Sequence, residues 1–321
     1  MKKTTFVAVA GALALMAASA HASVVSIDAD GTAGANGFIS VGSLDWAANG
    51  VLVTPTVSGT NAANPAVGAI LQSYAQASLS AFTDSIGDPL GTTGLNSAFE
   101  WTFVAGFQEK VTARSVGIDP VTFLPTGVDT LSLETVAGGD NFFKVYYSAK
   151  NSNSLAGTGY ADGTLVMSGS ILPYDAASQR GKTTFATKGG TGNLDQSPNG
   201  NDYPGIISVI GEGSATVDAM VTFIDNDFLA GVKSGDVLSL MLDTQANDPF
   251  TQANPSALFT KGDGTTIAGA STVGPINGAS GPNFMLQSDG TASFRIPEPT
   301  SMALAGLAMA GLGLTRRRAA K

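Results

Sequence analysis

The chain has 321 residues, with 25 acidic against 16 basic residues, a net charge of −9, no cysteine and a single histidine, His21. The missing cysteines exclude a disulfide framework and any thiolate chemistry. The acidity disfavours nucleic acid and anionic membrane headgroups as partners, and the length allows one large domain or two small ones.

The N-terminus has three parts in order. Lys2 and Lys3 are basic, Phe6 to Met16 is an apolar run of 11 residues, and Ala20-His21-Ala22 supplies small residues at Ala20 and Ala22. This is the order of a secretory signal peptide. Residues 1–22 are therefore expected to be cut off by signal peptidase after Ala22. The apolar run is short of the roughly 20 residues that a membrane span needs.

The body, residues 23–295, opens on Asp28-Ala29-Asp30-Gly31, two carboxylates two positions apart beside a turn residue. Strands are expected at 51–57 and 73–79, which are rich in β-forming residues. From Asn96 to Val104, Phe99, Trp101 and Phe103 fall on one face, with Glu100 and Thr102 on the other. Period-2 alternation of this kind marks a half-buried strand. Further strands are expected at 111–116 and 131–136, then a Gly-Gly-Asp-Asn turn. From Asn141 to Ala149, Phe143, Val145 and Tyr147 share a face. A strand at 164–171 follows the Ala161-Asp162-Gly163 turn. Residues 182–205 read as one long loop. From Ala215 to Ile224, Val217, Ala219, Val221 and Phe223 share a face, and Asp225-Asn226-Asp227 repeats the spaced carboxylates. Residues 227–233 suit a helical turn or two. Strands at 237–242 and 292–295 complete the body, with a Gly-, Ser- and Thr-rich excursion at 262–281 between them. No internal repeat and no heptad is present. The expected fold is all-β, an antiparallel β-sandwich or jelly roll.

Beyond the body, Pro297-Glu298-Pro299 is excluded from a helix because proline lacks the amide donor and clashes with the preceding turn. Ser301 to Leu314 carries no charge, and Arg316, Arg317 and Arg318 close it. Positive residues flanking a membrane segment stay cytoplasmic. Residues 296–321 are thus expected to hold the chain in the inner membrane by a short transmembrane helix, with the body on the outer side.

These residues, Pro297, Glu298 and Pro299, the apolar stretch from Met302 to Leu314, and Arg316 to Arg318, resemble the PEP-CTERM sorting signal of Gram-negative bacteria. The resemblance implies transient membrane anchoring, processing near the Pro-Glu-Pro by an exosortase, and delivery to the cell surface or extracellular matrix. Within the body, Phe99 to Phe107, Asn141 to Tyr147, Gly157 to Thr164 and Asn254 to Phe259 resemble segments of PEP-CTERM proteins associated with flocculation. That second resemblance implies a matrix protein that holds exopolysaccharide-embedded cells together, and it brings no catalytic residues.

Loss of both ends would remove His21 and six basic residues, leaving ten basic residues against 25 acidic ones where Glu298 is kept, a charge near −15. Without His or Cys there is no Ser-His-Asp or Cys-His nucleophile, no zinc site built on those ligands and no haem or iron–sulfur ligation by them. An enzyme would have to use carboxylates, Lys, Tyr or Ser. Glu100 and Glu109 flank an aromatic stretch in the manner of a glycosidase pair, but solvated or core positions explain them more simply. Asp28, Asp30, Asp225 and Asp227 are candidate Ca²⁺ ligands, since Ca²⁺ takes loop oxygens; ordinary turn chemistry is again the simpler account. No other cofactor is implied. Tyr146, Tyr147, Tyr160, Tyr174 and Tyr203 could form a sugar-stacking face. The expectation is a non-catalytic structural or adhesive protein of flocs or biofilm with exopolysaccharide as partner. The alternatives are a carbohydrate-binding module and, behind it, a carboxylate-based secreted hydrolase.

Overall fold

The structure is a computed structural model that describes residues 24–32, 37–118, 125–243, 249–278 and 281–295. The signal peptide, the Pro-Glu-Pro and the apolar, Arg-terminated tail lie outside these residues. Among the described residues no helix is long and apolar enough to cross a membrane.

The named strands of the described chain all pair antiparallel, as the alternation implies. Its strands are β1 (Val25–Asp28), β2 (Phe38–Val41), β3 (Ser43–Pro55), β4 (Ile70–Thr83), β5 (Pro89–Leu90), β6 (Phe99–Ile118), β7 (Pro125–Val136) and β8 (Phe142–Ala149). They continue with β9 (Thr164–Ile171), β10 (Lys182–Asn193), β11 (Ile207–Ile224), β12 (Leu229–Ala230), β13 (Val237–Asp243), β14 (Leu258–Thr260), β15 (Thr266–Ala268) and β16 (Phe284–Arg295).

The large sheet is consistent with a sandwich in its antiparallel pairing and internal core, and two further pairings join its ends. β6 pairs with β8 from Phe99 to Gly106 and with β7 from Gln108 to Ile118, while β4 lies along its other side. β11 is built the same way: β10 flanks it up to Thr216, β9 flanks it from Ala219, and β13 lies opposite. The remaining wall runs β11–β13–β16–β3–β4–β6. The sheet therefore closes on itself, with β8–β9 filling the gap between β6 and β11 at one end and β7–β10 filling it at the other. Closure pairs the backbone groups that an open edge would leave exposed.

The inward face explains the alternation. Trp101, Phe103 and Phe107 of β6, Phe143 and Val145 of β8, Val217 and Val221 of β11, and Leu238 and Leu240 of β13 share one core with Trp46 and Phe82. Aromatic edges meet faces within it: Trp46 lies 4.8 Å from Phe103 and Phe82 lies 5.4 Å from Trp101, centroid to centroid. The small sheet β12–β1–β2 caps the β8–β9 end, placing Val25, Ile27 and Leu229 in that core. The indole of Trp101 donates to Ala29 O at 2.8 Å and fixes the cap to the wall.

The outward face of β3, β4, β6 and β16 is buried as well. Leu52, Tyr74, Val104 and Met285 pack beneath Tyr160, Leu194, Phe250 and Phe259 from the long connections. Buried amides pin those connections down. Gln287 Oε1 accepts from the N–H groups of Thr251, Gln252 and Ala253 at 3.0, 2.7 and 3.1 Å. Asn49 Nδ2 donates to the Tyr160 hydroxyl at 2.6 Å, and Gln76 Nε2 donates to Leu258 O at 2.9 Å. Gly157 is required where one connection crosses β14. Its φ is +71°, and a Cβ there would sit 1.9 Å from Leu258 O.

Three expectations are corrected. Residues 182–205 are not all loop, because β10 occupies the first half. Phe223 does not share the buried face of Val217, Ala219 and Val221. A bulge between Val221 and Phe223 shifts the register against β9, leaving Phe223 44% exposed and turning Ile224 toward the core. Residues 227–233 form turns and the short β12 rather than a helical turn. The expected strands at 96–104 and 111–116 are parts of one strand, β6.

The two tryptophans test this packing against each other. Trp101 donates a hydrogen bond, whereas the buried Trp46 Nε1 makes none. Both Trp→Phe changes remove volume, but only Trp101→Phe strands a buried carbonyl, and Trp46→Phe removes an unsatisfied donor. Trp101→Phe is expected to be the more destabilising by about 1–2 kcal/mol, read from urea midpoints at constant m-value.

Candidate functional site

The carboxylates that suggest a catalytic pair do not meet. Glu100 and Glu109 lie on the same strand at positions of opposite parity, so their side chains leave opposite faces. Nine residues of extended chain also separate them by about 30 Å. Glu100 points outward and is fully buried beneath the turn after β8. Its Oε1 accepts from the N–H groups of Asn151 and Ser152 at 2.8 and 2.7 Å, and its Oε2 accepts from Lys150 Nζ and the Ser152 hydroxyl at 2.8 and 2.5 Å. Burial pushes its pKa up, but the Lys150 ammonium, the Ser152 hydroxyl and the two amides outweigh burial and hold it below the usual glutamate range. Glu109 points into the closed sheet. Ser73 donates to its Oε2 at 2.9 Å and Thr183 donates to its Oε1. Burial dominates there and raises its pKa above the usual value.

The two spaced-carboxylate turns do come together, because β1 pairs with β12. Asp28 is buried, and its N–H donates to Phe228 O at 2.9 Å. Asp30 Oδ1 caps its own turn, accepting from the N–H and hydroxyl of Thr32 at 3.1 and 2.8 Å. Asp225 Oδ1 accepts from the Asp227 N–H at 3.0 Å. Asp30 and Asp225 thus cap turns, and among the described residues no group of three or more His, Cys, Asp or Glu is placed to hold a metal ion.

The tyrosines do not share one face. Tyr160 is buried, and Tyr146 and Tyr203 pack on the same outer core. Tyr147 leans on Trp101 and Phe228 inside the cap, with its hydroxyl donating to Asp30 O at 2.6 Å. Tyr174 sits beyond the end of β9, where its N–H donates to Thr135 O.

A large hollow lies at the end of the closed sheet opposite the cap, where β7 and β10 replace β8 and β9. It has a volume of about 490 Å³, and Leu71, Leu131, Leu133, Phe185, Phe284 and Leu286 supply most of its wall. Glu109 and Thr183 line its inner part, where it runs on into a recess of about 60 Å³ reaching Phe107. The partly exposed lining residues mark its mouth: the 61–64 turn, Gly189 and Gly190, and the Arg114–Asp129 ion pair. Sequence reading misses this site because half of one wall comes from β10. The signal was present in Thr183-Thr184-Phe185-Ala186-Thr187, a β-branched and aromatic run that puts Thr183, Phe185 and Thr187 on one face.

On the outside of the sheet, Asp218 joins the last strand to the wall. Its Oδ1 accepts from Arg180 Nε at 2.5 Å and from the Ser239 hydroxyl at 2.7 Å, and its Oδ2 accepts from Arg295 Nη1 at 3.2 Å.

The opposed pKa shifts make Glu100 and Glu109 distinguishable by acid. Above the ordinary glutamate value of 4.5 and below the raised value of Glu109, the folded chain keeps a proton that the unfolded chain has released. Stability from this group falls as pH rises through that window, and Glu109→Gln is expected to remove the fall. Glu100 works the other way. The unfolded chain takes up a proton first as pH drops below 4.5, so its contribution is lost toward acid, and Glu100→Gln is expected to cost stability at neutral pH and little at low pH. Urea midpoints of the two variants and the parent across the acid-to-neutral range check both signs.

Residues 295–318 match the family model of the PEP-CTERM protein-sorting motif. That span contains the Pro-Glu-Pro, the apolar stretch and the arginine cluster. Neither the curated proteins nor the solved structures contain a match to this chain. The chain carries the sorting motif of an exosortase substrate, and so of an exported protein of Gram-negative bacteria delivered to the cell surface or exterior.

Proposed function

We propose that the body works without catalysis, as a structural or adhesive component of the extracellular matrix that helps hold cells and exopolysaccharide together in flocs or biofilm. The observation that carries this reading is how the ionisable groups of the body are used. Glu100 fastens a turn, Asp218 gathers two arginines and a serine, and Asp30 and Asp225 cap their own loops. Burial pushes Tyr74 and Tyr160 up to about 12, so both stay protonated at physiological pH. A general acid or base needs a pKa near the working pH and a reachable proton, and these groups are instead engaged in holding loops to the wall. The sorting motif supports the same reading, because it is the address of a protein sent to the cell surface or exterior.

Deletion of the gene in a flocculating host is expected to abolish or weaken flocs while exopolysaccharide production continues. Normal flocs with normal polysaccharide would overturn the proposal. Re-expression of a chain with Pro297, Glu298 and Pro299 all changed to alanine is expected to leave uncleaved precursor in the membrane fraction and to fail to restore flocs. The length of the C-terminus, measured by mass spectrometry, reports the processing step separately from the phenotype. Retention of the protein on the host's own polysaccharide in a pull-down would make direct sugar binding the mode of adhesion.

A further inference from the structure

Close packing is the rule inside folded proteins, where voids larger than a water are few. The interior of this closed sheet obeys that rule at one end and departs from it at the other. Around Trp46 and Phe103, next to the cap, the space left is about 10 Å³. Around Glu109 and Phe185 it is about 60 Å³, and beyond them it opens to about 490 Å³. A dead-ended hollow of this size falls within the range of small-molecule sites, about 300–1,000 Å³. Left empty, it forfeits the dispersion and burial that filling would supply.

The chemistry of the wall selects the occupant. Leu71, Leu131, Leu133, Phe185, Phe284 and Leu286 offer apolar surface, with Phe185 and Phe284 edge to face at 5.3 Å. Such a wall suits a hydrocarbon chain or a terpenoid skeleton and offers a sugar few partners for its hydroxyls. The inner end is polar only at Glu109, whose oxygens are already engaged by Ser73 and Thr183, so an apolar tail reaching it leaves no group newly stranded. The mouth is different. Arg114 donates through Nε to Asp129 Oδ2 at 3.1 Å, with a second contact from Nη2, while Asp129 Oδ1 is buried and makes no hydrogen bond. Both side chains are 25% exposed, so a neutral hydroxyl arriving there can share a hydrogen bond with the pair. An anionic headgroup finds the Arg114 charge already paired with Asp129 on a body that is strongly acidic, and is disfavoured.

We propose that this cavity binds a neutral amphiphile, an alcohol on an acyl-chain or terpenoid skeleton, with its tail buried between β7, β10 and β16 and its hydroxyl at the Arg114–Asp129 mouth. The site would let a matrix protein carry or sense a lipid-like molecule, and it is independent of the adhesive role.

N-phenyl-1-naphthylamine, a neutral apolar dye that brightens in apolar surroundings, tests the site on the full exported chain. The dye is expected to bind saturably, one per chain. 1-Dodecanol is expected to displace it, with dodecanoate at neutral pH weaker by at least about tenfold. Val209→Trp fills the hollow from β11 and is expected to abolish the brightening. Should that variant fail to fold, Gly190→Trp blocks the mouth instead: a Cβ there meets only Ile210 Cδ1, at 3.4 Å, within 4 Å. Its melting temperature is expected to stay near that of the parent while dye binding falls. No saturable brightening by the parent, or equal brightening by a folded Gly190→Trp chain, would overturn the site. Displacement by dodecanoate as strong as by dodecanol would overturn the assignment of a neutral headgroup. Neither result bears on flocculation, so failure here is distinguishable from failure of the adhesive role.

Discussion

Twenty consecutive residues of β6 are held in one strand with three neighbours, and the closed sheet depends on that reach. A strand flanked by one partner on each side would carry an ordinary ladder. β6 exceeds its partners in length, so a first partner, β8, ends where a second, β7, begins, and the same happens along β11 between β10 and β9. Two short strand pairs thereby fit end to end between two long strands. One end of the interior receives Phe143, Val145 and Met167 and is filled. The other receives Leu131, Leu133 and Phe185 around a hollow. The asymmetry between packed core and cavity thus follows from which short pair occupies which end.

Holding so many long connections without disulfides requires another device, and buried side-chain amides supply it. Gln72, Gln76, Gln287 and Asn49 lie under the outer layer and bond to backbone groups or hydroxyls of the connections, while Asn277 reaches from a connection to accept from the Met285 N–H of β16. Each such bond contributes only about 1 kcal/mol net, yet removing one partner leaves a buried polar group costing about 1–3 kcal/mol. The arrangement favours one conformation of the loops more than it adds to total stability. It also explains why strands that alternate in sequence are buried on both sides. The polar positions are not facing water; they face loops that satisfy them.

Where the sequence was legible, a single physical pattern decided the outcome. In β8, Phe143, Val145 and Tyr147 face inward and Lys144 outward, because nothing interrupts the two-residue period. β9 matches its expected bounds because a turn and a glycine-flanked run of β-branched and apolar residues delimit it. β11 fails at Phe223 because one extra residue in a bulge inverts the alternation beyond it, and no local composition announces a bulge. β10 is hidden by its glycines. Gly189, Gly190 and Gly192 look like loop, yet the Lys182–Ala186 stretch before them pairs on both sides. The cavity was illegible for the same reason, since it exists only when β7 and β10 are brought opposite β3, β4 and β16. Closure itself is a long-range property: the pairings of β6 with β4 and of β10 with β11 cannot be read from any window of local sequence.

The last strand connects this architecture to export. β16 pairs with β13 on one side and β3 on the other, so the circuit stays open until it is in place. Its final residue, Arg295, pairs with Val237 and bonds to Asp218, and it is also the first residue of the matched sorting motif. The strand that closes the sheet therefore leads into the sorting segment with no spacer between them. Cutting near Pro297 to Pro299 would spare every ladder pair of β16, whereas a cut a few residues earlier would remove pairs from a central strand. Placing the motif directly after Arg295 thus makes completion of the fold and access to the processing site neighbouring events along the chain.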